Sequence, residues 1–226
     1  MKILTLVVVG LGLAAGSLGA QANDPTKVVT GGGISLPGWK GRVDPQAAKA
    51  GRNIGEVKVV TMGSGFHVTA GPAAIYWNPA NTAKGNYSVS AGFTQTKAPM
   101  HPEAYGLFIG GKDLDASNQS YAYFVVRGDG KYLINHRAND STVHKIVDWT
   151  ANDALKPADA NGKATNKLSI VVGPDKVSFL ANGVEVKSLP RANLDGMGQG
   201  TVGIAGVRVN HNLDVHVDGF AATAAK

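Results

Sequence analysis

The chain contains no cysteine. Disulfides are therefore excluded, and so is a lipid anchor attached to a cysteine at a leader cleavage point. Glutamate is scarce as well, with only Glu56, Glu103 and Glu185, far apart in sequence. The six histidines show neither H-x-H nor H-E-x-x-H spacing, which argues against a zinc site. No G-x-S-x-G elbow is present, and Gly31-Gly32-Gly33 precedes no helix, so neither a serine hydrolase nor a phosphate-cradling loop is supported. Long helical periodicity is missing too. Residues 45–53, PQAAKAGRN, have room for two turns, and nothing else competes.

What the sequence does have begins with a leader. Lys2 supplies a positive start, Ile3 to Ala15 an apolar core, and Ala20-Gln21-Ala22 a small-x-small site. That order predicts a secretory signal peptide cleaved near Ala22, not a transmembrane span, which needs about 20 apolar residues. The expected location is periplasmic or secreted. Residues 23–226 are expected to form a single domain. The formal net charge is +6. Its basic residues are scattered, which suits solubility or attraction to anionic surfaces better than nucleic acid.

Glycine is abundant, at 30 residues. Roughly a dozen short alternating runs follow one another between Gly, Asn and Asp turn signals, which is the pattern of a sandwich or barrel. Among them are FHVTAGPAAIYW (66–77), AYGLFIGG (104–111), YAYFVVR (121–127) and KYLINHR (131–137). Residues 151–166 form one long polar connection, expected at the surface.

The stretch SYAYFVVRGDGKYLINHR (120–137) carries Arg127-Gly128-Asp129, a tripeptide that some extracellular proteins present to receptors. Turn chemistry favours a bend instead. A two-residue Asp-Gly turn would mix polar and apolar groups on both faces of the hairpin. A three-residue turn with Gly130 left-handed pairs Val126 with Tyr132 and Phe124 with Ile134. It places Ala122, Phe124, Val126, Tyr132, Ile134 and His136 on one face, and Tyr121, Tyr123, Val125, Arg127, Lys131, Leu133, Asn135 and Arg137 on the other. Since a one-residue slip exchanges the faces, the cleaner segregation is expected.

Two later stretches, NKLSIVVGPDKVSFLANGVEV (166–186) and the closing pair GTVGIAGVRVNHNLDVHVDGFAA (200–222), resemble the C-terminal half of the concanavalin A-like lectin/glucanase superfamily, including its LamG-like and keto-disaccharide hydrolase-like sandwich domains. The resemblance covers residues 104–222; over 28–103 only Gly38-Trp39 and the strand runs agree. It implies an all-β jelly-roll sandwich of two antiparallel sheets with a concave face open to ligand. Bacterial glucanases of this fold carry E-x-D-x-x-E on one strand, and that motif is absent here, which points to a non-catalytic member.

Asp214, His216 and Asp218 alternate on one strand face, but the outer two stand about 13 Å apart at ~3.3 Å per residue. Glycoside hydrolysis needs ~5–9.5 Å, so a solvated outer strand with Val215 and Val217 turned inward is expected. Asp113, Asp115 and Asn118 share one loop and offer oxygens of the kind calcium accepts, though Asx-turns use the same residues. Trp39, Trp77 and Trp149 are expected in the core or at its rim. The polar hairpin face is the candidate ligand site, with Tyr121, Tyr123, Asn135 and Arg137 combining flat rings with planar hydrogen-bonding groups. Arg208, Asn210 and His211 would extend it. The sequence thus predicts an exported module binding a glycan or cell-envelope component, without cofactor and without catalytic residues. A saccharide hydrolase of the same fold and a structural envelope protein are the alternatives.

Overall fold

The computed structural model describes residues 25–196 and 200–224. The leader, residues 1–22, lies outside the described residues. The described residues form two sheets packed face to face.

Sheet A has eight strands. They are β1 (Gly33–Ser35), β3 (Val57–Met62), β4 (Gly65–Ala70), β15 (Asp214–Ala224), β6 (Tyr87–Gln95), β11 (Ala164–Val172), β12 (Lys176–Ala181) and β13 (Val184–Pro190), in that spatial order. Sheet B has seven: β10 (Val143–Ala151), β9 (Lys131–Arg137), β8 (Ser120–Arg127), β7 (Ala104–Lys112), β14 (Gly203–Val209), β5 (Ala74–Ala83) and β2 (Lys40–Val43). All pairs are antiparallel except β1 with β3, which is parallel. Among the described residues the helical elements are α1 (Pro45–Lys49), α2 (Arg191–Asp195) and one 3-10 turn (Ile54–Glu56). No helix among the described residues is long and apolar enough to cross a membrane.

Strict alternation builds the core. Tyr87, Val89, Ala91 and Phe93 of β6 and Leu168, Ile170 and Val172 of β11 all point inward and are buried. They meet Tyr105, Leu107, Phe124, Ile134 and Val207 from sheet B. Aromatic rings bridge the sheets, with Phe124 5.6 Å from Phe179 and Phe93 5.5 Å from Tyr105. Such pairs add directional preference to the burial of large apolar surfaces.

The 120–137 hairpin adopts the three-residue turn. Val126 pairs with Tyr132, Phe124 with Ile134, and Tyr121 with Arg137. Gly130 has φ 76°, and its N–H donates to the Arg127 carbonyl at 3.1 Å. Inside the turn, Arg127 Nε and Nη2 donate to the two carboxylate oxygens of Asp129 at 3.1 and 2.7 Å. The basic and acidic ends of the tripeptide thus neutralise each other. Asn182-Gly183 forms the turn between β12 and β13, both residues left-handed at φ 52° and 86°. Asn182 also donates to Asn166 at 2.8 Å and to the Ala154 carbonyl at 2.7 Å, pinning the 152–163 connection, whose Leu155 enters the core.

Four expectations need correction. The run 66–77 is not one strand, because Gly71-Pro72 breaks the ladder and sends β4 and β5 into different sheets. The closing strands β14 and β15 do not pair with each other; a turn with Asn212 at φ 60° carries the chain from sheet B to sheet A. The strands β1 and β2, three and four residues long, are too short for alternation to announce them. Finally, β15 is central in its sheet, not a solvated outer strand. Val215 and Val217 do point inward, but Asp214 is only 7 % exposed. Lys27 and Lys97 reach its carboxylate at 2.7 and 2.9 Å, and His67 at 3.8 Å.

Candidate ligand-binding face

The outward face of sheet B carries a second apolar cluster: Ile75, Trp77, Ala104, Phe108, Leu114, Tyr121, Tyr123, Val125 and Leu133, with Trp149 and Ile204 packed on it. Leu114 comes from the loop after β7, and Trp149 from the irregular part of β10. These two cover what alternation alone would leave open. Tyr121 and Tyr123, expected to meet a ligand on the polar hairpin face, are buried at 0 % and 6 % exposure. Their rings are engaged within the protein: Tyr121 lies 5.2 Å from Phe108 and 5.7 Å from Tyr123.

Above this bed stands a network of charges. Arg208 projects outward from β14 between two bare positions. A Cβ on Gly106 would stand 2.2 Å from the Phe124 carbonyl, and one on Gly206 2.3 Å from that of Tyr76. The Arg208 guanidinium lies over Tyr123, 5.0 Å from the ring centre. Its Nη1 and Nη2 donate to Oδ1 and Oδ2 of Asp44 at 2.7 and 2.6 Å, a bidentate pair. Asp44 is fixed where β2 meets α1: its N–H donates to the Ala73 carbonyl and its carbonyl accepts from Ala48.

Tyr121 Oη accepts from Arg137 Nε at 3.1 Å and from Arg208 Nη1 at 3.3 Å. Burial pushes the Tyr121 phenol up from its ordinary value, so it stays neutral. Burial acts on Asp44 in the same sense, but the charge and hydrogen bonds of Arg208, then the charges of Arg137 and Arg42, hold its carboxyl below the usual range. At the rim, Arg42 donates to Asp140 at 2.9 Å and to the Ala116 carbonyl at 2.6 Å. Gln119 donates to the other oxygen of Asp140 at 2.7 Å. Asn135 donates to Tyr123 Oη at 3.1 Å, while its own Oδ1 is buried without a partner.

Of the residues singled out in sequence, the structure joins Tyr121, Tyr123, Asn135, Arg137 and Arg208. Asn210 continues the outward row of β14 one repeat beyond Arg208, with its Oδ1 buried and unpartnered. His211 meets Glu103 at 3.2 Å. Asp44, Arg42 and Asp140 were missed. Only Asp44-Pro45, at the head of the expected helix, hinted at one of them.

The loop of Asp113, Asp115 and Asn118 roofs a neighbouring cleft of 350 Å³, walled by Lys40, Trp77, Pro79, Leu114 and Ile204. Asp113 accepts from Asn118 at 2.8 Å and adopts φ 49°, and Asp115 pairs with Lys40 at 3.5 Å. These oxygens shape a turn and an ion pair. Among the described residues, no group of three or more His, Cys, Asp or Glu stands ready to hold a metal.

No sequence-family profile and no curated protein matches the chain. Solved structures do. The carbohydrate-binding module CBM66 from Bacillus subtilis superposes with a TM-score of 0.58 at 12% identity, covering 85% of this chain and 99% of that one. A Bacillus subtilis protein of unknown function with a galectin-like fold gives 0.57 at 13% identity, over 82% and 88%. The GH16 protein of the Bacteroides ovatus mixed linkage glucan PUL, in complex with its G4G4G3G product, gives 0.55 at 8% identity, over 88% and 98%. At these identities the likeness is one of fold: a jelly-roll sandwich of two largely antiparallel sheets.

Proposed function

We propose that this is an exported, non-catalytic saccharide-binding protein whose ligand lies on the outward face of sheet B, over Asp44, Asn135, Arg137 and Arg208. The observation that carries the reading is the preassembled network itself. A carboxylate, two guanidiniums, a phenol and an amide are held by one another above an apolar bed, so little ordering remains for a ligand to impose. Sugars present hydroxyls that both donate and accept. Asp44, one-fifth exposed in its side chain, accepts, and the guanidiniums donate. The fold likeness to CBM66, named as a carbohydrate-binding module, supports the same reading. It also revises the part played by the tyrosines: they seat Arg208, Arg137 and Asn135, while the ligand meets the polar layer above them.

The state of Asp44 supports the non-catalytic reading by speaking against a general acid on this face. A glycosidase acid must keep its proton near neutral pH, which requires a raised pKa. Asp44 is shifted in the opposite direction, and Asp140 is paired with Arg42.

A glycan array probed with the protein lacking residues 1–22 tests the proposal. Binding to one saccharide class, lost in Asp44→Asn with folding intact, is the expected result. Absence of binding across the array would leave the structural alternative standing.

A further inference from the structure

We propose that the saccharide is acidic, and that Arg137 receives its carboxylate, as in a uronosyl residue. This rests on the saccharide reading and adds the charge of the ligand to it. The charges of the face do not balance among themselves. Both carboxylate oxygens of Asp44 are taken by Arg208, and Asp140 is taken by Arg42. Arg137 is left over. Its Nε donates to the phenol of Tyr121 at 3.1 Å, and its Nη1 to the Asn139 carbonyl at 3.3 Å. Both of those oxygens are neutral. The nearest carboxylate oxygen, Asp44 Oδ2, is 3.9 Å from Nη2 and already bonded to Arg208. Three guanidiniums thus share two carboxylates.

Arginine cannot shed its proton at any working pH. A cation withdrawn from water is costly when its counter-charge is 3.9 Å away and shared with Arg208, and the Arg137 side chain is only 9 % exposed. A ligand carboxylate at Nη2 relieves that cost, and the planar guanidinium matches its two oxygens. The place is reachable, because the surrounding side chains of Asp44, Arg42 and Asp140 are each about one-fifth exposed. A neutral sugar hydroxyl would satisfy hydrogen bonds there but not the charge. The formal net charge, +6 for the whole chain and +5 without Lys2 of the leader, adds long-range attraction for an acidic polymer.

Calorimetric titration with a panel of uronate oligosaccharides tests this, each measured beside its carboxyl-reduced neutral counterpart and a sulfated one. At least one uronate is expected to bind about 10- to 100-fold more tightly than its reduced form, the range of a charge-assisted hydrogen bond. Arg137→Gln is expected to erase that difference, so that each uronate and its reduced form bind alike, and Arg137→Lys to restore part of it. Should Arg137→Gln not fold, added salt makes the separation in the wild type: uronate affinity falls, and neutral affinity does not. Equal or tighter binding of the reduced sugars overturns the inference and leaves the saccharide reading intact. Preference for the sulfated forms overturns the carboxylate assignment. Failure of every saccharide, acidic or neutral, overturns both readings together.

Discussion

At position 130 the backbone demands a conformation that side chains resist. Gly130 sits at φ 76°, and its turn sets the register of β8 against β9. A β-branched side chain there is strained by roughly 1–2 kcal/mol. Gly130→Val is expected to lower the unfolding free energy by about that amount, read from urea melts. Asp44 presents the electrostatic counterpart. Removing its carboxylate strands Arg208, which is 6 % exposed, over an apolar bed. Breaking one side of a buried pair typically costs on the order of 3 kcal/mol. Asp44→Ala should therefore destabilise by about that much, and Asp44→Ala with Arg208→Met by clearly less. If the double variant is as unstable as the sum of the singles, the pair does not work as a unit.

Elements differ in how far the chain announces them. The β8–β9 hairpin is legible because its partners lie within a few residues, so alternation and turn chemistry decide its faces together. The network over sheet B is not legible, because Asp44 and Arg208 stand 164 residues apart and only the closed sandwich brings them together. Alternation placed Tyr121 and Tyr123 on the outward face correctly. It gave no sign that Leu114 and Trp149 would cover them, since a loop and a bulged edge strand have no period to read. That edge strand, β10, also carries a titratable contact. His144 Nδ1 faces His136 Nδ1 at 3.2 Å, and His136 is fully buried. Burial first, and the charge of His144 second, push the His136 pKa from 6.5 down to about 4. The unfolded chain therefore takes up this proton before the folded one. Stability is complete above pH 6.5, falls as pH drops toward about 4, and levels off below. His136→Leu is expected to flatten this slope in denaturant melts between those limits. An unchanged slope would assign the acid sensitivity to other groups.

Across the whole molecule, the placement of β15 governs how the fold is completed. It lies between β4 and β6, with Val215 paired to Val68 on one side and to Gln95 on the other. Without β15, sheet A would consist of two pieces with facing unpaired edges. A chain ending before Asp214 is expected not to fold alone, as read by circular dichroism. Adding a separate peptide of residues 214–224 should restore the native spectrum, because the vacant slot specifies both register and inward side chains. Failure of the peptide to bind would mean that the slot does not exist without its occupant. The same geometry predicts that two copies trade β15 at high concentration, an exchanged dimer that size-exclusion chromatography would detect.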